Sequence, residues 1–125
     1  MAKAPARADP AYLENLASYE RLVASVPGLE RKGAANPYTA LNGNMSSYLH
    51  PRGALALRLA PMARAEFLER YQTTLFESYG VVQKEYVTVP ADLLADTKAL
   101  EPYFHASYDY VAALEPKPTA KARKT

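Results

Sequence analysis

The fold is decided by residues 36–59, which read NPYTALNGNMSSYLHPRGALALRL. Two turn signals, Asn42-Gly43 and the Pro-Arg-Gly of residues 51–53, divide this stretch into three short segments of alternating polarity. Alternation with a period of two predicts β-strands, and Asn-Gly between two such segments predicts a two-residue hairpin turn. The stretch therefore predicts an antiparallel β-meander. Because helical patterns flank it, the predicted fold is a two-layer α+β domain with its helices mainly on one face of the sheet.

The turn signals also predict a register. The Asn-Gly turn pairs Leu41 with Asn44, and the pairs that follow from it are Ala40 with Met45 and Tyr38 with Ser47. The second turn allows two loop lengths. A two-residue loop places the leucines of residues 55–59 on the face of the sheet opposite Met45. A three-residue loop instead places them on the same face and uses a glycine where a left-handed residue is required.

We prefer the three-residue loop, since a slip of one residue would expose the leucines to water. Its predicted pairs are His50–Ala54, Leu49–Leu55, Ser47–Leu57 and Met45–Leu59. The predicted inward residues are Met45, Leu49, Leu55, Leu57 and Leu59. The predicted opposite face carries Thr39, Asn44, Ser46, Tyr48, His50 and Arg58.

Helical spacing predicts three helices around the meander. The first runs from Pro10 to Ser25 with Asp9 as its cap, and the second begins near Pro61. The last is capped by Asp96, and its apolar stripe comprises Leu100, Tyr103, Phe104, Ser107, Tyr108, Val111 and Leu114. A fourth strand is predicted over residues 84–89, while strands near residues 75–76 or 81–82 are left open.

The composition indicates a single soluble domain. The chain has 125 residues, 49% of them hydrophobic, and no cysteine, which excludes disulfides, thiolate metal sites and cysteine catalysis. No apolar segment follows the basic N-terminus, and no apolar run approaches the roughly 20 residues of a membrane span. We therefore expect a cytoplasmic protein without membrane attachment.

The charge is divided unevenly along the chain. Residues 1–8 and 117–125 hold six basic residues and no acidic one, which predicts two disordered tails around a domain at 9–116. The remaining nine basic residues stand against thirteen acidic ones, so the domain carries about −4. A nucleic-acid-binding fold normally carries a basic surface, so we expect at most weak, salt-dependent contact through the C-terminal tail.

Several motifs resemble the TfoX N-terminal domain-like family over roughly residues 31–118. They are Asn42-Gly43-Asn44-Met45, Leu57-Arg58-Leu59, Val87-Thr88-Val89-Pro90 and Leu93-Leu94-Ala95-Asp96. The resemblance implies a bacterial protein with an antiparallel sheet and helices on one side, similar to YjbR-like proteins and type III secretion chaperones. Members named for TfoX are linked to the regulation of natural competence, but fold likeness alone does not transfer that role.

The sequence nominates no catalytic, cofactor-binding or metal-ligating set. The two histidines, His50 and His105, have no clustered ligands or partner carboxylate at workable spacing, so we interpret them as surface residues. Ten tyrosines without a tryptophan suggest boundary packing, and five fall on the core stripes of the helices: Tyr12, Tyr19, Tyr71, Tyr103 and Tyr108. Tyr48, Tyr86 and Tyr110 do not fit these stripes and are candidates for an interface. No cofactor is predicted.

The leading hypothesis is a non-enzymatic binding or regulatory module that contacts a protein partner, or a second copy of itself, through the open sheet face or an edge strand. The predicted partner or ligand surface comprises Ser46, Tyr48, His50, Arg58, Lys84 and Tyr86. The solvent side of a half-covered sheet has the same composition. The rival hypothesis is an enzyme or small-ligand binder, which requires these side chains to converge in a concave pocket.

Overall fold

Four helices and five strands form in the part of the chain that the computed structural model describes, residues 10–33, 37–50, 54–78 and 80–116. The helices are α1 (Pro10–Ala24), α2 (Pro61–Tyr71), α3 (Ala91–Ala95) and α4 (Thr97–Ala113). The strands are β1 (Tyr38–Leu41), β2 (Asn44–Leu49), β3 (Leu55–Arg58), β4 (Leu75–Ser78) and β5 (Val81–Val89). The predicted α+β class is confirmed. The tails predicted at 1–8 and 117–125, and the Asp9 cap, lie outside the described residues.

The strands form one antiparallel sheet in the order β1-β2-β3-β5-β4. The first three strands are the predicted meander. The predicted fourth strand begins earlier, at Val81, and it pairs with β3 on one side and β4 on the other. Both segments left open by the sequence are therefore strands, joined as a hairpin, and β4 lies at the sheet edge.

The first hairpin begins as predicted and then departs from the predicted register. Asn42 and Gly43 both have positive φ, at 55° and 82°, which the two-residue turn requires, and Leu41 pairs with Asn44. Beyond the Ala40–Met45 pair, however, Thr39 faces Ser47, so β2 has one extra residue. This β-bulge makes the predicted Tyr38–Ser47 pair wrong, because Tyr38 faces Tyr48 instead.

The second hairpin confirms the three-residue spacing. Leu49 pairs with Leu55 and Ser47 pairs with Leu57, while the backbone N–H of His50 donates to the Ala54 carbonyl oxygen at 2.8 Å. Residues 51–53, which make the predicted loop, lie outside the described residues. The β2–β3 pairs end at Ser47–Leu57, so the predicted Met45–Leu59 pair does not form.

The hydrophobic core lies between the sheet and the helices on one of its faces. The predicted inward leucines of β2 and β3 are all fully buried there, together with Val87 of β5. Tyr19 of α1 meets Phe104 of α4 edge to face, with ring centroids 6.4 Å apart. The predicted tyrosine positions on the helices hold, since Tyr12 is buried and Tyr71, Tyr103 and Tyr108 pack against the core.

The last helix follows its predicted stripe and cap. The side chain of Asp96 accepts a hydrogen bond from the backbone N–H of Ala99 at 3.3 Å, which satisfies one of the unpaired donors of the first turn. Four stripe residues, Leu100, Phe104, Ser107 and Val111, are buried against the sheet. This packing fixes α4 over β1, β2 and β3. Among the described residues, the helices lie on this face of the sheet and none lies on the opposite one.

Candidate functional site

The candidate site lies on the sheet face that points away from the helices, which we call the open face. In the centre of the sheet, Ala56 of β3 stands between Tyr48 of β2 and Thr88 of β5. Two pairs along, Arg58 of β3 faces Tyr86 of β5. Alternation along β3 places Ala56 and Arg58 on this face because Leu55 and Leu57 enter the core.

Three aromatic rings meet on the open face. The ring of Phe76 lies 6.1 Å from that of Tyr48, and both lie 6.0 Å from the ring of His50, centroid to centroid. Strands β2 and β4 are three places apart in the sheet, about 14 Å at the usual strand spacing. The side chains of Tyr48 and Phe76 must therefore lean toward each other across the small Ala56, which is only 1% exposed.

A second bulge helps to bring Phe76 to this place. Leu75 pairs with Val87, but its neighbour Phe76 pairs with Gln83, so residues 84–86 of β5 have no counterpart on β4. Bulges bend the strand that carries them and increase the local twist. The outer end of the β4–β5 hairpin is thus redirected, and Phe76 is buried on the open face although β4 is an edge strand.

The rings enclose a depression that we call the aromatic groove. Its volume is about 290 Å³, and its lining residues are Met45, Tyr48, Ala56, Phe76, Gln83 and Tyr86. Aromatic and methionine side chains are enriched where proteins bind one another, and small-molecule sites begin at about this volume. The open face is therefore concave and largely apolar at its centre.

A second depression, the polar pocket, adjoins the aromatic groove. Its volume is about 350 Å³, and its lining residues are Gly43, Asn44, Met45, Arg58, Lys84, Glu85 and Tyr86. Met45 and Tyr86 border both depressions, so the two are separated only by these side chains. The open face thus offers an apolar recess and a charged recess side by side.

Arg58 and Tyr86 are held in the polar pocket by a common acceptor. Arg58 Nε pairs with Glu85 Oε1 at 2.8 Å, and Arg58 Nη1 donates to the Met45 carbonyl oxygen at 3.2 Å. The Tyr86 hydroxyl donates to the same oxygen at 3.0 Å. Burial raises the pKa of Tyr86, so its hydroxyl remains a neutral donor at physiological pH.

Lys84 differs from Arg58, because its side chain is exposed. Within residues 10–33, 37–50, 54–78 and 80–116 the ion pairs are Arg31–Glu20 and Arg58–Glu85, and Lys84 belongs to neither. Its ammonium group therefore remains available to solvent or to a ligand at the rim of the polar pocket.

Of the six residues predicted to form the surface, the structure brings four onto the open face: Tyr48, His50, Arg58 and Tyr86. Lys84 lies beside them. Ser46 was predicted on this face, and that prediction is wrong: its side chain is 4% exposed and hydrogen bonds Thr39 Oγ1 at 2.6 Å.

The bulge explains this error and three related ones. One extra residue in β2 moves every preceding side chain to the other face, so Met45 leaves the predicted core and lines the aromatic groove. Asn44 moves the opposite way, and its amide donates to the Glu115 carbonyl oxygen at 3.0 Å. Thr39, opposite Ser47, is buried rather than exposed.

The buried side of the bulge contains what we call the hydroxyl chain: Tyr19, Ser47, Thr39 and Ser46. The Tyr19 hydroxyl and Ser47 Oγ are 2.7 Å apart, and Thr39 Oγ1 shares hydrogen bonds with both serines. Ser107 of α4 donates to the Ser46 carbonyl oxygen at 3.1 Å. Burial raises the pKa of Tyr19 to about 12.

The histidines do not assemble a catalytic pair in the described part of the chain. His105 Nε2 lies 2.9 Å from Ser25 Oγ, but the Ser25 hydroxyl donates to the Leu22 carbonyl oxygen at 2.6 Å. Ser25 therefore accepts from His105 and is not activated by it. Among the described residues, no group of three His, Asp or Glu side chains is placed to hold a metal ion.

The sequence missed four groove residues, Met45, Ala56, Phe76 and Gln83. Phe76 is buried, but on the face of the sheet opposite the core. The register shift of the second bulge places Phe76 there, and the residue types in the sequence do not predict that bulge. Tyr110, also proposed as an interface residue, is half-buried on α4, on the helix-covered side.

The comparisons with known proteins returned no significant match to a family model, to a curated protein or to a solved structure. Among the described residues, no helix combines the length and the apolar character that crossing a membrane requires.

Proposed function

We propose that this protein is a non-enzymatic binding module, and that the aromatic groove takes an apolar side chain of a protein partner. The observation that carries the proposal is the ring cluster of Tyr48, His50 and Phe76, two of whose rings, Tyr48 and Phe76, line the groove together with the small Ala56. Binding energy at protein interfaces concentrates in such recesses, where an anchor side chain is fully desolvated.

The polar groups of the open face support binding rather than catalysis. Arg58, Glu85 and the Tyr86 hydroxyl are already engaged with one another or with the Met45 carbonyl oxygen. A general acid or base must instead reach the reacting group of a substrate. These contacts hold the groove in shape, which lowers the entropy cost of binding a partner.

Strand edges are a secondary means of contact. The outer edge of β1 is partly covered, since Tyr38 and Lys32 exchange two backbone hydrogen bonds at 2.8 and 3.0 Å. Strand β4 forms the other edge, next to the aromatic groove. A partner that fills the groove can therefore extend along β4, and a second copy of the chain is one such partner.

The family assignment and the cellular role belong to the same proposal. The motifs that resemble the TfoX N-terminal domain-like family support the proposal of membership, and the α+β architecture agrees with what that resemblance implies. A regulatory module in the bacterial cytoplasm fits both, with contact to nucleic acid limited to the basic residues at 117–125.

The proposal is tested by selecting peptides from a displayed random library on the full-length protein. We expect selected peptides to lose about tenfold or more in affinity for Tyr48→Ala, as for truncation of an anchor contact. Phe76→Leu serves as a second groove variant, and circular dichroism checks that both fold. The matched control is Met62→Ala, since Met62 is an apolar side chain that is 87% exposed on α2. Peptides that bind the groove variants and the control equally would contradict the proposal.

The volume of the aromatic groove favours a second candidate, a binder of small apolar molecules. At about 290 Å³, the groove is at the lower limit for such sites. Fragment screening by NMR distinguishes the two, because a small-ligand site should bind aromatic fragments tightly while selected peptides fail to compete with them.

A further inference from the structure

We infer that the partner segment carries a carboxylate beside its apolar anchor, and that Lys84 binds this carboxylate while the anchor fills the aromatic groove. This inference rests on the proposed function, since it names the chemistry of the partner that the groove receives. The structural basis is the juxtaposition of the two depressions, which share Met45 and Tyr86 as a common border.

The hydrogen-bonding inventory of the polar pocket leaves Lys84 as its available charged donor. The Asn44 amide donates to the Glu115 carbonyl oxygen, and the Met45 carbonyl oxygen accepts from Arg58 and from Tyr86. A carbonyl oxygen has two lone pairs, so that acceptor is saturated. A lysine ammonium group donates three hydrogen bonds and accepts none, so its ligand must be an acceptor.

The charges in the pocket favour an anionic acceptor. Arg58 is neutralised by Glu85 at 2.8 Å, which leaves the charge of Lys84 uncompensated among the described residues. The domain around it carries about −4 by count, so this positive charge is local. At physiological ionic strength exposed charges interact over roughly 8 Å, so the carboxylate must lie close to the Lys84 ammonium group.

The spacing between the two recesses suits neighbouring residues of one segment. A single pair of side chains, Met45 and Tyr86, separates the recesses. In an extended segment, residues two apart project on the same side at about 6.7 Å. In a helix, residues three or four apart are about 5–6 Å apart. The predicted motif is an aromatic or large aliphatic residue with Asp or Glu two to four positions away.

The experiment uses peptides selected on the full-length protein and then measured against charge variants. We expect the selected sequences to carry Asp or Glu at that spacing. Lys84→Glu should lower their affinity about three- to tenfold, a range typical of an exposed ion pair that becomes a repulsion. Exchanging the peptide's acid for lysine should restore affinity for Lys84→Glu. The matched control is Lys98→Glu, an exposed lysine on α4, which should leave affinity unchanged.

The outcomes separate this inference from the proposed function. Peptides that lose affinity for Tyr48→Ala but bind Lys84→Glu as well as the wild type would overturn the inference that Lys84 binds a carboxylate. They would leave the proposed function of the aromatic groove standing. An equal loss for a peptide whose acid is replaced by its amide would also overturn it, because the effect of Lys84 would then be structural. Binding that Tyr48→Ala and Phe76→Leu leave unchanged would overturn both.

Discussion

The two faces of the sheet are both buried at its centre, but by different means. On β3, Leu55 and Leu57 are 0% exposed because helices cover them, whereas Ala56 between them is 1% exposed without any helix. Rings from β2 and β4 cover Ala56 instead. The helix-covered face is closed by whole helices, while in the described part of the chain the centre of the open face is closed by side chains that a partner can contact or displace.

The polar groups of the two faces differ in the same way. The hydroxyl chain is enclosed, and each of its members hydrogen bonds another within the protein. The polar pocket opens to solvent, and its Lys84 forms no ion pair with any residue that the structure describes. Enclosed polar networks specify one arrangement of the chain, while a partly open one leaves capacity for recognition. The covered face therefore holds the network that specifies the fold, and the open face is the one for which we propose binding.

The largest expected effect tests the burial difference directly. Leu57→Ala leaves a cavity under the helices and should lower the free energy of unfolding by about 3 kcal/mol. Tyr48→Ala, on the open face, should lower it by about 1 kcal/mol, the scale of a lost aromatic pair. Urea unfolding followed by circular dichroism measures both. Equal losses would show that the ring cluster is part of the core rather than a separate surface.

The second expected effect is a dependence of the unfolding free energy on pH, which tests whether the hydroxyl chain is enclosed. The Tyr19 pKa is raised to about 12 from 10, so the folded state prefers the neutral phenol. The contribution of the neutral Tyr19 phenol to the free energy of unfolding is complete below pH 10 and is lost as pH rises through 12. We expect a loss of up to about 1.4 kcal/mol per pH unit in that window.

Unfolding free energies measured from pH 8 to 11.5 test this dependence. Tyr19→Phe should reduce the slope of the unfolding free energy against pH above pH 10. Tyr12→Phe is the matched control, because Tyr12 lies on the same helix. An unchanged slope in Tyr19→Phe would mean that other tyrosines account for the alkaline loss.

A smaller effect tests the bulge. Thr39→Val keeps the shape of the side chain but leaves the Ser46 and Ser47 hydroxyls without their shared partner. We expect a loss of about 1.5 kcal/mol, within the range for buried groups that lose a hydrogen bond. The control is Thr88→Val, a half-buried position on the open face. Stability equal to that of the control would show that the bulge does not depend on the hydroxyl chain.

The smallest effect concerns Lys84. Because its ammonium group is exposed and unpaired within the described residues, Lys84→Glu should change the free energy of unfolding by less than about 0.5 kcal/mol. Thermal unfolding measures this. A larger loss would mean that Lys84 supports the fold, and affinity changes in this variant could no longer be assigned to recognition.

Much of the fold follows from local chemistry in the sequence. Asn42-Gly43 specified its turn because few residues other than Gly and Asn adopt positive φ there without strain. Pro61 and Asp96 marked helix starts for equally local reasons. The candidate site was predictable only in part: Tyr48, His50, Arg58 and Tyr86 share a face by simple alternation, whereas Ser46 and Met45 exchanged faces at the bulge.

The sequence by itself determined three of the four helices, the meander and the leucine face of the sheet, since each depends on neighbours in the chain, but it did not predict the short helix α3 or decide on β4. Only the tertiary structure decided the two bulges, and with them the composition of both faces. The first bulge is accompanied by hydrogen bonds to Tyr19 and Ser107, residues 28 and 61 positions away from their partners. The second turns Phe76 toward Tyr48 across two intervening strands. A register shift of one residue depends on such distant contacts, which periodicity along the chain does not encode.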